Sequence, residues 1–400
     1  MPSPRLPFVF LFLPLLLAAA PLQGQSASGT DPHLEVARRV LGTTPLVDGH
    51  NDLPWAIRGN SAAPGDVAAY DLRSRTPGHT DLERLRQGMV GAQFWSVYVP
   101  PRAVEEGAAR VQLEQIDIAR QIIALHPDHL ELALTVSDVE RIFGAGRIAS
   151  ILGMEGGHAI ENSLGALRAF YDLGARYLTL THGATIDWAD SATDEARHGG
   201  LTAFGREVVR EMNRLGMLVD LSHVSPAVMS QVLDLSDAPV IFSHSSARAL
   251  TDHPRNVPDP ILRRMPGNGG VVMVTFVPSF VNEAVRTHQG PRETAPRATL
   301  ADVADHIDHV RRVAGVDFVG IGSDFDGISS TPVGLEDVST FPALFAELSR
   351  RGWTEEDLRK LAGENLLRAW REGEAVARRL QRERGPSTAT IQELDGGGPS

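Results

Sequence analysis

Residues 217–246 read MLVDLSHVSPAVMSQVLDLSDAPVIFSHSS and contain one strand–helix–strand repeat in which both strands end on the dipeptide Ser-His. Two apolar, β-branched runs, 217–221 and 240–243, are separated by a stretch with helical period. Strands that alternate with helices in this way form parallel βαβ units. The segment therefore predicts two neighbouring parallel strands that finish at the same edge of a sheet, one with His223 and the other with His244.

The same alternation continues through most of the chain. The candidate strands are 45–49, 92–99, 149–154, 177–181, 217–221, 240–243, 271–276 and 318–323. The candidate helices include 103–125, 164–173, 203–215, 226–233 and 300–314. Strand–helix repeats of this number predict an α/β fold, a closed (β/α)8 barrel of the TIM type. An open, doubly wound sheet is the alternative, but no G-x-G-x-x-G sequence follows a strand to support dinucleotide binding.

The composition excludes several classes of protein. Hydrophobic residues make up 42% and charged residues 22% of the 400 residues, which is the composition of a globular protein. The net charge of −12 disfavours nucleic acid and anionic membrane surfaces as partners. The absence of cysteine excludes disulfides, thiolate metal sites and a cysteine nucleophile. A metal ion would therefore be bound by His, Asp and Glu, a donor set that favours zinc, manganese or cobalt.

The ends of the chain differ from its middle. We expect residues 1–24 to be a secretory signal peptide, because Arg5 precedes an apolar run that is followed by small residues. An uncleaved N-terminal anchor is the alternative. Residues 32–382 show no internal linker and are predicted to form a single domain. Residues 385–400 are rich in Pro, Gly and Ser, which predicts a disordered tail that carries no signal for a lipid anchor.

Side chains that can bind metal stand at the C-terminal end of one candidate strand after another. In a parallel barrel these ends open onto one face, which is where the active sites of such barrels lie. Each of the side chains follows an apolar run, so none belongs to a solvated helix face. The residues are His50, Asp52, Glu155, His182, His223, His244 and Asp324.

Two pairs of these residues are predicted to bind one metal ion each. Alternate residues of a strand share a face, so His50 and Asp52 can both point to the barrel axis while Asn51 points away. His223 and His244 end neighbouring strands and are predicted to bind a second ion. Two buried structural histidines are the alternative interpretation of this second pair.

Two adjacent cations need a bridging anion. The single lysine, Lys360, falls in a predicted C-terminal helix far from any strand end, which excludes a carboxylated lysine as the bridge. Glu155, on a strand between the two ligand sets, is the candidate, whereas His158 behind Gly156-Gly157 is interpreted as a structural histidine. Two ions about 3.5–4 Å apart hold a shared water and lower its pKa, which supplies a bridging hydroxide as nucleophile.

Three further side chains are candidates for the remaining steps of a hydrolysis. His182 stands at a strand end but is not needed as a metal ligand, so it can face the developing oxyanion. Asp324, on the last strand, can carry a proton from the nucleophile to the leaving group. Arg255, in the loop after the sixth strand, can bind a substrate carboxylate in a bidentate manner, although a loop arginine is more often simply solvated.

Taken together, seven segments resemble the membrane (renal) dipeptidase family. In chain order they are VDGHNDLPW (47–55), GMEGGHAI (153–160), YLTLTHGATIDWADS (177–191), VDLSHVSP (219–226), FSHSSARAL (242–250), HPRNVPD (253–259) and VGIGSDFDG (319–327). The resemblance implies a distorted (β/α)8 barrel that binds two zinc ions. It also implies cleavage of dipeptides that have a free amine and a free carboxylate, in this family with tolerance of a D-residue at the C-terminal position.

The resemblance implies the same residue roles as the argument from the strand ends. The implied ligands are His50 and Asp52 for one zinc ion, His223 and His244 for the other, and Glu155 as the bridge. His182, Arg255 and Asp324 match positions that serve the carbonyl oxygen, the substrate carboxylate, and proton transfer or amine binding. The expected partner is thus a dipeptide, with no role for nucleic acid.

The chain also departs from the family. Animal members form disulfide-linked dimers, which a chain without cysteine cannot do, so we expect at most a non-covalent homodimer. Phe280 stands where the family has a tyrosine. The strong preference for arginine over lysine is typical of a GC-rich bacterial genome and, with the signal peptide, predicts a secreted or periplasmic protein.

Two other functions are open to such a barrel. The first is hydrolysis of lactones, cyclic amides or acyl-amino acids by a related binuclear site, for which Arg255 would have no purpose. The second is a non-catalytic barrel that binds metal or peptide. Such a protein would be expected to have lost Glu155 or Asp324, and both are present.

Overall fold

Parallel strands close into a barrel, which confirms the predicted (β/α)8 fold. The strands are β1 (Leu46–Asn51), β2 (Val90–Tyr98), β3 (Leu130–Leu132), β4 (Ile148–Glu155), β5 (Ala175–Thr179), β6 (Leu218–Asp220), β7 (Ile241–Phe242), β8 (Val271–Val274) and β9 (Val319–Ile321). Their order is β2-β1-β9-β8-β7-β6-β5-β4, and β2 pairs with β4 to close the ring. That closing pair runs in register from Ala92 opposite Ala149 to Tyr98 opposite Glu155.

The short strand β3 was not predicted from the sequence. Among the described residues it pairs with the first residues of β4 alone, where Leu130 lies opposite Ile148 and Leu132 opposite Ser150. It therefore extends the sheet beside the barrel and leaves the ring of eight strands intact. A strand of three residues is too short to show an alternating pattern, which is why the sequence gives no sign of it.

Helices surround the barrel and connect its strands. They are α1 (Pro32–Thr43), α2 (Leu53–Arg58), α3 (Leu82–Gln87), α4 (Ala108–Leu125), α5 (Val136–Gly144), α6 (Leu164–Asp172), α7 (Ala203–Leu215), α8 (Pro226–Leu235), α9 (Asp259–Leu262), α10 (Met265–Asn268), α11 (Pro278–Val281), α12 (Glu283–Thr287), α13 (Leu300–Ala314), α14 (Phe341–Arg350), α15 (Glu355–Arg359), α16 (Asn365–Glu383) and α17 (Ile391–Asp395). Side chains cap several of their N-termini; Thr202, for example, accepts from Gly205 N at the start of α7.

The predicted helix 103–125 is broken into two pieces. A 3₁₀ helix, Pro101–Glu106, is followed by α4, and Gly107 between them has a φ of +92°. This left-handed backbone conformation is one that glycine adopts without strain and that no right-handed helix contains. The break turns the chain at the C-terminal edge of β2, beside the mouth of the barrel.

One end of the barrel is closed by apolar side chains. Phe94 and Tyr177 pack inside the barrel with ring centroids 5.0 Å apart, and Trp370 of α16 lies 6.1 Å from Phe94. All three side chains are fully buried in one cluster with the first residues of several strands. Because α16 covers this N-terminal end, polar side chains that project into the barrel can reach solvent only at the opposite, C-terminal end.

The computed structural model describes residues 1–4, 7, 31–291 and 294–396, so the predicted signal peptide lies almost entirely outside the described residues. The described residues from Pro32 onward form one compact unit. Across the described parts of the chain, no helix has both the length and the apolar character needed to cross a bilayer.

The expectation of a disordered tail after residue 385 is wrong for the described part, 385–396. This segment forms α17, in which Ile391 is buried, and the Asp395 carboxylate accepts hydrogen bonds from Ala203 N and Phe204 N. Those N–H groups belong to the first turn of α7 and have no partner within their own helix. Composition alone does not show that a distant helix end needs a cap, so the prediction missed this docking.

Candidate active site

The structure brings all seven strand-end residues together at the C-terminal face of the barrel. Six of them line one cavity of about 310 Å³, and His50 lies buried beside it. Arg255, predicted from the loop after the sixth strand, lines the same cavity. The predicted residues that line the cavity thus come from six different strand ends and one loop.

Glu155 lies at the centre of the cluster, and its two oxygen atoms face opposite sides. Oε1 is 3.0 Å from His223 Nε2 and 3.4 Å from His244 Nε2. Oε2 is 3.5 Å from His50 Nε2, which is itself 3.2 Å from Asp52 Oδ2. One carboxylate therefore connects the His50–Asp52 pair to the His223–His244 pair.

The spacing of these atoms fits metal coordination. His223 Nε2 and His244 Nε2 are 3.0 Å apart, and His50 Nε2 is buried without a hydrogen-bond partner among the described residues. Two ligands of a tetrahedral ion, each bound at about 2.0–2.1 Å, lie roughly 3.3 Å from one another. The donor set of imidazole and carboxylate, without thiolate, also suits zinc and similar divalent ions.

His182 and Asp324 lie at the two outer sides of this cluster. Ligand atoms of Glu155, His182 and His223 are within 4.8 Å of one another, and so are those of His50, Asp52 and Asp324. His182 Nε2 is 3.9 Å from Glu155 Oε1, and 27% of its side chain is exposed toward the cavity. Both residues are therefore placed to touch a molecule that is bound at the metal ligands.

Hydrogen bonds at the far ring nitrogens orient two of the histidines. His50 Nδ1 lies 2.9 Å from the Tyr177 hydroxyl, which donates to a backbone carbonyl of β1 and so accepts from the ring. His244 Nδ1 lies 2.8 Å from Ser243 Oγ, which donates to Asp220 at 2.6 Å and accepts from the ring in the same way. Each ring thereby carries a proton on Nδ1 and turns its Nε2 toward the cluster.

Tyr177→Phe is expected to lower the affinity for a divalent ion by about 10- to 100-fold, the usual cost of removing a partner that orients a metal-binding histidine. Gly153 supports this contact, because a Cβ at that position would lie 2.1 Å from Tyr177 Cζ. Zinc competition against a chelator measures the change, with Tyr171→Phe as a control that touches no candidate ligand. An unchanged zinc affinity would show that the hydroxyl does not hold His50.

Two buried aspartates that the sequence analysis did not select tie the strand ends together. Asp220 on β6 accepts from Thr179 Oγ1 of β5 at 2.5 Å and from Ser243 Oγ at 2.6 Å, just beyond β7. Asp48 on β1 accepts from Ser323 Oγ, just beyond β9, at 2.7 Å. Each aspartate lies in an apolar strand shortly before a candidate ligand histidine, in the sequences VDGH and VDLSH. This pattern could have identified both aspartates as site residues.

Two of the site residues have an unusual backbone conformation. His223 and Asp324 both have a φ of +69°, in the left-handed region that costs a non-glycine residue about 1–3 kcal/mol. Neighbouring backbone holds them there, since Ala192 N donates to His223 O at 2.7 Å and Asp324 N donates to His50 O at 3.1 Å. Strain of this kind is concentrated at functional sites, which supports a role for both side chains.

Burial and neighbouring charges together determine which side chains of the cluster carry a proton. Burial lowers the pKa of His182, His223 and His244, so these rings are neutral near pH 7 and carry a lone pair for a metal or for a proton. Burial alone would raise the pKa of Glu155, but the surrounding histidines, His50 first, hold it well below its usual range. The bridging carboxylate is therefore an anion.

The pKa of Asp324 is shifted in the opposite direction to that of Glu155. Burial, reinforced by the nearby carboxylates of Asp52 and Glu155, raises the pKa of its carboxyl group well above the ordinary value, although His50 and Arg255 oppose the rise. A carboxyl group whose pKa is raised toward neutrality can both accept and release a proton. The chemistry of Asp324 thus differs from that of Glu155, although both are strand-end acids.

Arg255 presents a buried guanidinium to the cavity. It is 3% exposed and donates to Ser245 Oγ and His244 O, each at 3.3 Å. Its Cζ lies 5.5 Å from the centre of the Phe280 ring, which stacks on His253 at 4.1 Å. Burial lowers the pKa of Arg255 to about 10, so the group stays cationic. Within the described residues no carboxylate forms an ion pair with it, which leaves its charge available to an anion in the cavity.

Three other residues of the cavity wall were not predicted from the sequence. Trp55 and Tyr98 contact each other edge to face with ring centroids 5.0 Å apart, and Tyr98 lies 4.6 Å from the His182 ring. Gly327 leaves room for the acids, because a Cβ there would be 2.2 Å from Asp52 Oδ2 and 2.6 Å from an oxygen of Asp324. Their positions in the sequence, directly after candidate ligands or at a strand end, were the only feature that could have identified them as site residues.

Comparisons with known proteins identify the family of the chain. Residues 34–384 match the sequence profile of a family described as membrane dipeptidase, peptidase family M19. The chain is 46% identical over 353 residues to dipeptidase 3 of Rattus norvegicus, a match that covers 87% of this chain and 69% of the relative. A corresponding match to dipeptidase 3 of Mus musculus has 45% identity.

Two solved structures show the same fold. A metallopeptidase from Rhodobacter sphaeroides, crystallised with a phosphinate mimic of the dipeptide L-Ala-D-Ala, is 30% identical with a TM-score of 0.74 over 83% of this chain and 99% of that one. The probable dipeptidase PvdM from Pseudomonas aeruginosa has a TM-score of 0.78 at 24% identity, covering 86% of this chain and 99% of that one. The second likeness concerns the fold alone.

Proposed function

The chain belongs to the membrane dipeptidase family and is a metallopeptidase, and from that premise we propose that it hydrolyses the peptide bond of L,L- and L,D-dipeptides with two zinc ions. The observation that carries the proposal is the position of Glu155, whose two oxygens face two separate pairs of ligands. The L,D part is supported by the related metallopeptidase that binds a mimic of L-Ala-D-Ala.

In this proposal each zinc ion has its own pair of ligands. His50 and Asp52 would hold one ion, His223 and His244 would hold the other, and Glu155 would serve both. Ions bound there would supply Lewis acidity and would lower the pKa of a water molecule toward neutrality, which would make it a nucleophile. No serine or cysteine nucleophile is required, and the chain contains no G-x-S-x-G sequence.

Arg255 binds the C-terminal end of the substrate. Its two neutral hydrogen-bond partners hold the guanidinium in place without neutralising it, so a substrate carboxylate completes the charge pair. The free amine at the other end of the dipeptide meets the acidic side of the cavity, where Asp52 and Asp324 lie. Recognition of both ends limits the substrate to two residues.

His182 and Asp324 act on the reacting atoms. The neutral His182 ring donates a hydrogen bond to the carbonyl oxygen of the scissile bond, where negative charge develops. A carboxylate oxygen of Asp324 takes the proton of the attacking water and delivers it to the departing amine nitrogen. The two residues lie beside different ligands, His182 near Glu155 and His223, and Asp324 near His50 and Asp52.

Metal analysis combined with a peptide screen tests the proposal. We expect about two zinc equivalents per chain. We also expect hydrolysis of L,L- and L,D-dipeptides and none of the matching tripeptides. A protein that cleaves tripeptides as fast as dipeptides would refute the recognition of both substrate ends. A protein that hydrolyses only lactones or acyl-amides would favour the alternative enzyme class.

Removal of the substrate carboxylate is expected to lower kcat/KM by about 30-fold or more, because Arg255 is then left buried without its partner. The measurement compares a good dipeptide with its C-terminal amide. Arg255→Ala should cause a similar loss with the free acid and little further loss with the amide, so that the two changes are not additive.

The control for this comparison is Arg102→Ala, which removes an exposed arginine from the same face of the barrel. It should leave the ratio of acid to amide unchanged. If the unmodified enzyme cleaves the amide as well as the acid, Arg255 does not bind a carboxylate, and hydrolysis of lactones or acyl-amides becomes the better proposal.

We also propose that the protein is secreted or periplasmic after removal of residues 1–24, and that it forms at most a non-covalent homodimer. The support is the N-terminal apolar run and the absence of cysteine. N-terminal sequencing of the exported protein and its mass in solution test the two statements.

A further inference from the structure

A long loop between β5 and α7, residues 185–200, is closed on itself by one buried carboxylate. The carboxylate belongs to Asp190, which is fully buried. It accepts hydrogen bonds from three backbone N–H groups, those of Arg197 at 2.8 Å, His198 at 3.0 Å and Gly200 at 2.7 Å. Burial would raise the pKa of this carboxyl group, but the three donors hold it below its ordinary value, so Asp190 is an anion. Asp190 therefore fixes the second half of the 185–200 loop against the first.

The 185–200 loop contacts the backbone of two histidines of the candidate active site. Ser191 is buried, and its Oγ donates to His182 O at 2.7 Å. The next residue donates from Ala192 N to His223 O, also at 2.7 Å. Ser191 further pairs with Val224 in an isolated antiparallel bridge, directly beyond His223. Two neighbouring residues of one loop thus hold the residue that follows β5 and the residue that follows β6.

These backbone contacts matter because the two histidines lack the ring contacts that orient the others. His50 and His244 are each held by a hydroxyl group at Nδ1. The Nδ1 atoms of His182 and His223 are buried and have no hydrogen-bond partner among the described residues. Their rings instead lie against each other, with centroids 4.2 Å apart and planes inclined by 30°. The positions of both rings therefore depend on how firmly the backbone beneath them is held.

We propose that Ser191 is a positioning residue for His182, and that Asp190, by fixing the 185–200 loop, positions His182 and His223 together. The inference rests on the proposed function, in which His182 acts on the carbonyl oxygen of the substrate and His223 is a metal ligand. Without the Ser191 hydroxyl the His182 carbonyl loses its donor, and the ring can shift relative to Glu155 and the substrate. A displacement of about 1 Å from a catalytic position can cost about 100-fold in rate.

Ser191→Ala tests the role of the hydroxyl group. With saturating zinc we expect kcat for a good dipeptide to fall by about 10- to 100-fold with little change in KM, because His182 acts on charge that develops in the transition state. Zinc affinity should be unchanged, since Ala192 N still donates to His223 O. The control is Asp187→Asn, an exposed acid of the same loop that contacts only Asn162 among the described residues, and it should keep the kcat of the unmodified enzyme.

Asp190→Asn tests the role of the loop through zinc affinity, which does not depend on hydrolysis. Asparagine keeps one acceptor oxygen and turns an N–H₂ group toward backbone donors, which loosens the loop. Competition against a chelator measures zinc affinity in two backgrounds, Asp52→Asn, which impairs the site of His50, and His244→Ala, which impairs the site of His223. Asp190→Asn should weaken zinc binding by about tenfold or more in the first background and leave it nearly unchanged in the second.

The outcomes separate this inference from the proposed function. An unmodified protein that binds zinc but cleaves no dipeptide would refute the proposed function, while the two zinc backgrounds would still decide the role of Asp190. The inference is overturned if the unmodified enzyme is active and Ser191→Ala retains its kcat, or if Asp190→Asn leaves zinc affinity unchanged in the Asp52→Asn background. Equal weakening of zinc binding in both backgrounds would also overturn it, because the loop would then support the whole fold and not the two histidines.

Discussion

Replacing Glu155 by glutamine is expected to empty at least one of the two metal sites and to lower kcat/KM by about 1,000-fold or more, a loss of about 4 kcal/mol in transition-state stabilisation. The amide has nearly the same shape but only one oxygen and no charge. It cannot balance two cations or offer an oxygen to both ligand pairs, whose three histidines lie 3.0–3.5 Å from the two oxygens of Glu155. Metal content by mass spectrometry and steady-state kinetics with one dipeptide measure the two effects.

The matched control is Glu131→Gln on the neighbouring strand β3. Glu131 pairs with Arg141 at 2.7 Å and lies at the opposite end of the sheet from the cluster. This variant should retain both metal ions and its activity. A Glu155→Gln protein that holds two zinc equivalents and remains active would refute the assignment of Glu155 as a bridge.

Asp324→Asn is expected to retain both metal ions and to lower kcat by about 100- to 10,000-fold, which is the usual contribution of a positioned acid–base group. Asparagine keeps the shape of the side chain but cannot take a proton from the attacking water. The measurement is kcat and KM for one dipeptide, together with the metal content of the same preparation. Asp317→Asn, an exposed acid just before β9 that pairs with Lys360, is the control.

The geometry makes two other outcomes informative for Asp324. Its carboxylate lies within reach of His50 and Asp52, so a loss of metal in Asp324→Asn would reassign it as a ligand. A change confined to KM would instead reassign it to binding of the substrate amine. Only a fall in kcat with metal retained supports the role of proton carrier.

Much of the fold could be predicted because its signals are local. A strand buried in a barrel is a short apolar run and a helix has a 3.6-residue period, so all eight barrel strands and helices such as Ala203–Leu215 were predicted close to their observed bounds. The errors fell where the deciding partner is distant. The segment 385–396 is ordered because Asp395 caps α7. No local sequence pattern predicts that contact.

The identity of the candidate site residues was also a local property. Parallel strands finish at one face, so a polar side chain that follows an apolar run must lie near that face whatever the details of the fold. This rule selected His50, Glu155 and Asp324 before any distance was known. It did not select Asp48 or Asp220, because an acid inside a strand can be assigned to a neighbouring strand only when the neighbour is known.

What the sequence by itself determined is therefore which residues face the mouth of the barrel, since strand alternation and strand ends depend on residues next to each other in the chain. Only the tertiary structure decided how they combine: that Glu155 stands between two ligand pairs, and that Tyr177 orients His50 across the barrel. These contacts join residues far apart in sequence, as between Asp48 and Ser323, 275 positions apart, and they form only when the β2–β4 pairing closes the ring.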